Sequence, residues 1–145
     1  MKKGLQKQLG ELLVYCRLIT QEQLEEGLAY QKEKGGLLGQ ALVTLGFITE
    51  EAIAQALTAQ YGFPYLPLSG YEIDPEVARI IPEHVARQYD LIAVDRVGSI
   101  LTVTMSNPLN TQAIEDIEML THYKVQVFVT TSTDVGTAIK NIYKA

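Results

Sequence analysis

Two leucine-glycine pairs, Leu9-Gly10 and Leu38-Gly39, open two stretches of the chain, and a glutamine, Gln31 or Gln60, closes each. Glycine near a helix start costs stability relative to alanine, yet it lets a ligand approach exposed backbone N–H groups, which attract anions. A glutamine amide offers two donors and an acceptor, a set suited to a nucleobase edge or a phosphate oxygen. Leucines beside such groups can cover a purine face. The leucines Leu9, Leu13, Leu28, Leu38, Leu42 and Leu57 also recur at helical spacing, which is what the core of any helix pair needs.

Catalytic constellations are missing from the sequence. There is no Gly-Lys dipeptide, and so no phosphate loop of the Walker type. The two histidines, His84 and His122, have no metal-ligand spacing to each other or to Cys16; both are expected at surface or helix-end positions. Asp90 with Asp95, and Glu115 with Asp116 and Glu118, are expected to be solvated turn or helix charges rather than paired acids and bases. Cys16 falls inside an apolar helical pattern and is expected as a buried thiol, with no partner for an internal disulfide. We expect no catalytic residue, no metal and no cofactor.

The elements that must position the paired motifs come from a repeat. Residues 9–31 align with residues 38–60 without a gap, nine of 23 positions are identical, and the offset is 29 residues. Each unit predicts two short helices, the second starting after a threonine; Thr20 and Gln23 form a capping-box pattern. Gly46 suits the end of the first helix in the second unit, whereas the matching Arg17 implies that this corner is made differently. The four helices are expected to bury Leu12, Leu13, Leu24 and Leu28 against Leu42, Val43, Ile53 and Leu57. Two repeats are few for a solenoid, so the rest of the chain must help to build the core.

All five prolines lie beyond residue 60, and residues 61–73 read as an extended connector. Residues 74–145 predict two proline-started helical turns and a hairpin of Leu91 to Val97 and Ile100 to Met105 around Gly98-Ser99. A helix from Thr111 to Leu120, a strand from Lys124 to Thr130 and a helix capped near Ser132 follow. The expected fold class is α+β: a tandem helix-pair subdomain over residues 1–60, with units 8–31 and 37–60, then a small antiparallel or mixed three-stranded sheet with helices. At 145 residues and a net charge of -5, with ten of 17 acids beyond residue 60, the chain is a poor match for duplex DNA. No apolar run reaches the ~20 residues of a membrane span, and no signal peptide is legible at the start. A cytoplasmic location is expected.

At the paired motifs the sequence resembles the MshEN domain, the N-terminal domain of type II secretion and type IV pilus assembly ATPases. The family pattern is a tandem of Arg-Leu-Gly-x-x-Leu-Val-x-x-Gly-Leu-Ile followed by Leu-x-x-x-Leu-x-x-Gln, with a five-residue spacer that reproduces the 29-residue period. QYGFPYLPL, PEHVARQYDLIAV and MSNPLN extend the resemblance over essentially the whole chain. It implies that the motifs embrace cyclic di-GMP through Gln8, Leu9, Gly10, Leu13, Val14, Leu24, Leu28 and Gln31 of the first unit. The second unit supplies Leu38, Gly39, Leu42, Val43, Leu57 and Gln60. It further implies an ATPase core and an inner-membrane platform protein as partners, with placement at the inner membrane through the latter. The leading arginine of the motif is replaced by Gln8 and Leu37, and its middle glycine by Arg17 in the first unit. Loss of a charge-assisted contact worth roughly 1.5–3 kcal/mol weakens the expected affinity. The alternative is a docking module of the same fold with a degenerate nucleotide site.

Overall fold

The helical rhythm of the first stretch resolves into four helices, α1 (Leu5–Tyr15), α2 (Gln21–Lys34), α3 (Leu38–Thr44) and α4 (Glu50–Tyr61). The structure, a computed structural model, describes residues 5–143, with side chains from Leu9 onward. Threonine sets both second helices. Thr20 Oγ1 accepts from the Gln23 N–H at 3.1 Å, and the Gln23 side chain accepts from the Thr20 N–H at 2.9 Å, which closes the capping box. Thr49 Oγ1 accepts from the Ala52 N–H at 3.1 Å at the start of α4.

The corners inside the two pairs are made alike, against expectation. In the first, Leu18 N–H donates to Leu13 O and Arg17 N–H to Val14 O, both at 2.9 Å; in the second, Phe47 N–H reaches Leu42 O at 3.0 Å and Gly46 N–H reaches Val43 O at 2.9 Å. These are the two bonds of a Schellman termination. Arg17 adopts φ 62° to make it, and Gly46 adopts φ 81°. The hydrogen-bond geometry of the corner therefore survives the replacement of glycine, with an L side chain held in the left-handed region.

Leu13, Leu24, Leu38, Leu42 and Leu57 are fully buried between the helices, together with Leu9, Leu12 and Ile53. Val14, Cys16, Leu28 and Val43 pack half-buried around them, so Cys16 is less enclosed than expected. Gly10 is not at a helix start: it lies in the middle of α1, where a Cβ would come 2.3 Å from Leu24 Cδ1. It exists to let α2 approach, and no ligand can reach it there. Gly27 does the same on α2, where a Cβ would sit 2.6 Å from Leu42 Cδ2.

Beyond the connector come α5 (Pro75–Ala78), α6 (Glu83–Tyr89), β1 (Leu91–Val97), β2 (Ile100–Met105), α7 (Thr111–Thr121), β3 (Lys124–Val129) and α8 (Ser132–Ile142). The sheet order is β1-β2-β3; β1 and β2 are antiparallel, while β2 and β3 run parallel through the α7 crossover. Gly98 turns the hairpin at φ 60°. The result is the expected α+β class with a mixed three-stranded sheet. Leu101, Val103 and Met105 form the centre of its core with Ile117 of α7 and Val135 and Ile139 of α8.

The connector is held to the sheet. Tyr65 forms an isolated parallel bridge with Val129; Leu66 N–H donates to Val129 O at 2.9 Å and Val129 N–H to Pro64 O at 2.8 Å. The Val129 side chain meanwhile belongs to the helical core. No helix among the described residues is long and apolar enough to cross a membrane.

Candidate ligand site between the two halves

Parallel strands joined by a helix leave their carboxyl ends on one edge of the sheet, where the following turns diverge and ligands commonly lodge. Here Met105 of β2 is paired with Val129 of β3, and Leu91 of β1 lies opposite Met105. Asp90, Ser106 and Thr130 therefore gather at one end, beside the N-caps Asn110 of α7 and Thr131 of α8. The helical pairs cover that end, and a cavity of about 310 Å³ remains between them. Leu9, Gly39, Gln40, Val43 and Glu50 line its helical wall. Ser106, Asn107, Asn110 and the turn from Thr130 to Thr133 line the opposite wall.

A hydrogen-bond chain crosses the gap. Gln40 Nε2 donates to Ser132 Oγ at 3.0 Å, and Ser132 Oγ donates to Asp90 Oδ2 at 2.6 Å. Ser106 Oγ donates to the same Asp90 oxygen at 2.6 Å. Glu50, the first residue of α4, accepts from the Thr133 N–H at 2.6 Å with Oε1 and from the Thr133 hydroxyl with Oε2. A carboxylate at a helix N-terminus satisfies a free N–H and complements the helix dipole.

Asp90 corrects the expectation of a solvated turn charge. It is 6% exposed and sits at φ 57° as the C-cap of α6. Burial raises its pKa above the ordinary carboxylate value; the two serine hydroxyls oppose the shift and the charge of Glu50 adds to it. Asp116 and Glu118 are also more engaged than expected. Asp116 accepts from the Tyr89 hydroxyl and from Gln112 Nε2 at 2.7 Å, and Glu118 accepts from the Val125 N–H at 2.9 Å. The bond to Asp116, then burial and the carboxylate charge, raise the Tyr89 pKa. Asp95, Glu115, His84 and His122 are exposed, and His122 ends α7.

Three buried hydroxyls among the described residues have no hydrogen-bond partner: Thr58, Thr104 and Thr130. Thr130 alone of these lines the cavity, and it is 1% exposed. A buried hydroxyl without a partner costs free energy, and the Thr130 oxygen has no accessible surface toward the cavity.

The motif residues divide. Leu9, Gly39 and Val43 reach the cavity. Leu13, Leu24, Leu38, Leu42 and Leu57 are enclosed in the helical core, with Val14 and Leu28 packed at its margin. Gln31 Nε2 donates to Gly36 O at 3.1 Å and ties the turn into α3, while Gln60 is exposed on the last turn of α4. Gln8 belongs to α1, and its side chain lies outside the described residues. Sequence reasoning did not single out Gln40, Glu50, Asp90 or Thr130 as site residues. Ser106, Asn107 and Asn110 lay in MSNPLN, which carried part of the resemblance.

Comparison with known proteins agrees with this architecture. The profile of the MshEN domain matches residues 61–145. The type IV pilus assembly ATPase PilB of Myxococcus xanthus is 34% identical over 93% of this chain. The chain spans 24% of that relative's length. The solved structure of MshE with cdg superposes with a TM-score of 0.68 at 29% identity, covering 93% of this chain and 98% of that one. The N-terminal domain of XpsE shares the fold, with a TM-score of 0.71 at 17% identity and 94% of each chain covered. Since the profile match takes in more than half of the chain, and the longer alignments bring in the helical pairs, the chain belongs to the MshEN domain family.

Proposed function

We propose that this chain is a non-catalytic regulatory module of a type IV pilus or type II secretion assembly ATPase, and that it binds cyclic di-GMP at its tandem helix pairs. The observation that carries the reading is the likeness to MshE with cdg, at 29% identity over 98% of that chain. The cavity supports it, because a ligand there touches α3 and α4 of the second pair as well as the turns after β2 and β3. Occupancy then biases how the two halves sit together, which is what a module needs in order to signal.

The proposed partners are the ATPase core and, on the cytoplasmic face, an inner-membrane platform protein. Titration calorimetry of the chain with cyclic di-GMP at roughly 100 μM tests the ligand, with micromolar affinity expected. Absence of heat in that range sinks the nucleotide reading. The replacement of the motif arginine by Gln8 and Leu37 favours a second reading, a docking module of the same fold without the nucleotide. Under that reading, a pull-down with the cytoplasmic portion of a platform protein retains the partner in the absence of any nucleotide.

A further inference from the structure

The helical pairs are joined covalently to the rest of the chain at one point, where α4 ends at Tyr61 and the connector begins. Gly62 makes that junction at φ 75°, and an added Cβ there would meet nothing within 4 Å, so no neighbouring group locks it. Just beyond, the connector is tied to Val129, whose side chain lies in the helical core, and Leu109 packs against the same core. On the cavity side the contact has another character. There the halves stand apart around about 310 Å³ of open space and meet through polar side chains, Gln40 and Glu50 on the helices with Ser132 and Thr133 on α8. Gln40 and Thr133 are exposed, and Glu50 and Ser132 are half-buried. Bonds at such positions are weak in net terms, because water takes the place of a lost partner.

We propose that Glu50 with Thr133, and Gln40 with Ser132, form a latch that holds the halves closed in the free chain, and that its release lets them open by rotation at Gly62. The α8 side of the latch is preorganised: Ser132 and Ser106 both donate to Asp90 Oδ2, a carboxyl group buried in the sheet half. Glu50 is the first residue of α4, and its carboxylate takes the N–H and the hydroxyl of Thr133 in the first turn of α8. That charge therefore lies between the positive ends of two helices, which repel each other once it is gone. Gln40, in the first turn of α3, adds a neutral bond beside it. Opening parts these pairs while Val129 and the connector stay near the axis, so each half keeps its own core. All four latch residues line the cavity, and the latch thereby sets how wide its mouth stands.

The test places nitroxide labels at Gln55→Cys on α4 and Lys140→Cys on α8, two exposed positions outside the latch, in a Cys16→Ser background. Pulsed electron paramagnetic resonance then reads the distance between the halves with no ligand added. The chain with its latch intact should give one dominant distance. Glu50→Gln keeps the shape of the side chain and removes its charge, and it should raise a second distance population about tenfold. Adding Thr133→Val should raise that population further. A contact that only stabilised the fold would lower the urea midpoint and leave a single distance. A folded Glu50→Gln, Thr133→Val protein with an unchanged distance distribution overturns the proposal. If that double variant does not fold, Gln40→Ala at its exposed position decides by the same measurement: a raised second population supports the latch, and an unchanged distribution overturns it.

Discussion

Arg17 holds in the first helix pair the same left-handed corner that Gly46 holds in the second, with φ 62° against 81° and matching Schellman bonds. For an L residue that conformation costs roughly 1–2 kcal/mol. Part of the relief given by glycine is offset by the greater freedom of the unfolded chain. Arg17→Gly should therefore stabilise the protein by about 1 kcal/mol, seen as a higher urea midpoint with an unchanged slope. A lower midpoint would show that the arginine side chain supplies more than its backbone loses.

The two motif glycines should respond oppositely to alanine. Gly10→Ala forces a methyl against Leu24 and Leu38 in a closed core and should destabilise by about 1–3 kcal/mol. At Gly39 a Cβ finds ordinary contacts of 3.5 Å and 3.7 Å to Ile53 and Leu9, so Gly39→Ala should be neutral or gain up to ~1 kcal/mol of helix propensity. Thermal unfolding of both variants checks the contrast.

Asp90 gives a pH signature of unusual sign. Burial raises its folded pKa above the ordinary carboxylate value, so the folded state holds the proton more tightly than the unfolded chain. The stability from this group is fully present below the unfolded pKa and is lost as pH rises through the folded one. Relative to Asp90→Asn, the natural protein should lose stability as pH climbs above the ordinary carboxylate range. Parallel urea titrations of the two proteins across the acid range measure that difference; a flat difference would mean that Asp90 titrates alike in both states.

Restoring the motif arginine is the fourth experiment. Gln8→Arg adds a charge-assisted contact worth roughly 1.5–3 kcal/mol and should tighten cyclic di-GMP about tenfold to a hundredfold by calorimetry. A folded variant with unchanged affinity would mean that position 8 does not face the ligand.

Local patterns made the elements readable in the sequence. The strands Leu91–Val97 and Ile100–Met105 lie where the Gly98-Ser99 turn put them, and α7 starts at Thr111 as expected. Both threonine-led helices follow from caps whose partners are three residues away. The cavity was not readable for the opposite reason. Glu50 meets Thr133 across 83 positions and Ser132 meets Asp90 across 42, and no periodicity records such distances. Gly10 was misplaced on the same ground, because its neighbours Leu24 and Leu38 belong to other helices.

Val129 ends β3 by its backbone and completes the helical core by its side chain. One residue thus belongs to the sheet by its pairing and to the helical core by its packing. Melting the sheet would withdraw a fully enclosed valine from the helices, and melting the helices would expose it at the edge of the sheet. The two halves therefore share the cost of coming apart, and heating should disassemble them together, in one calorimetric peak rather than two.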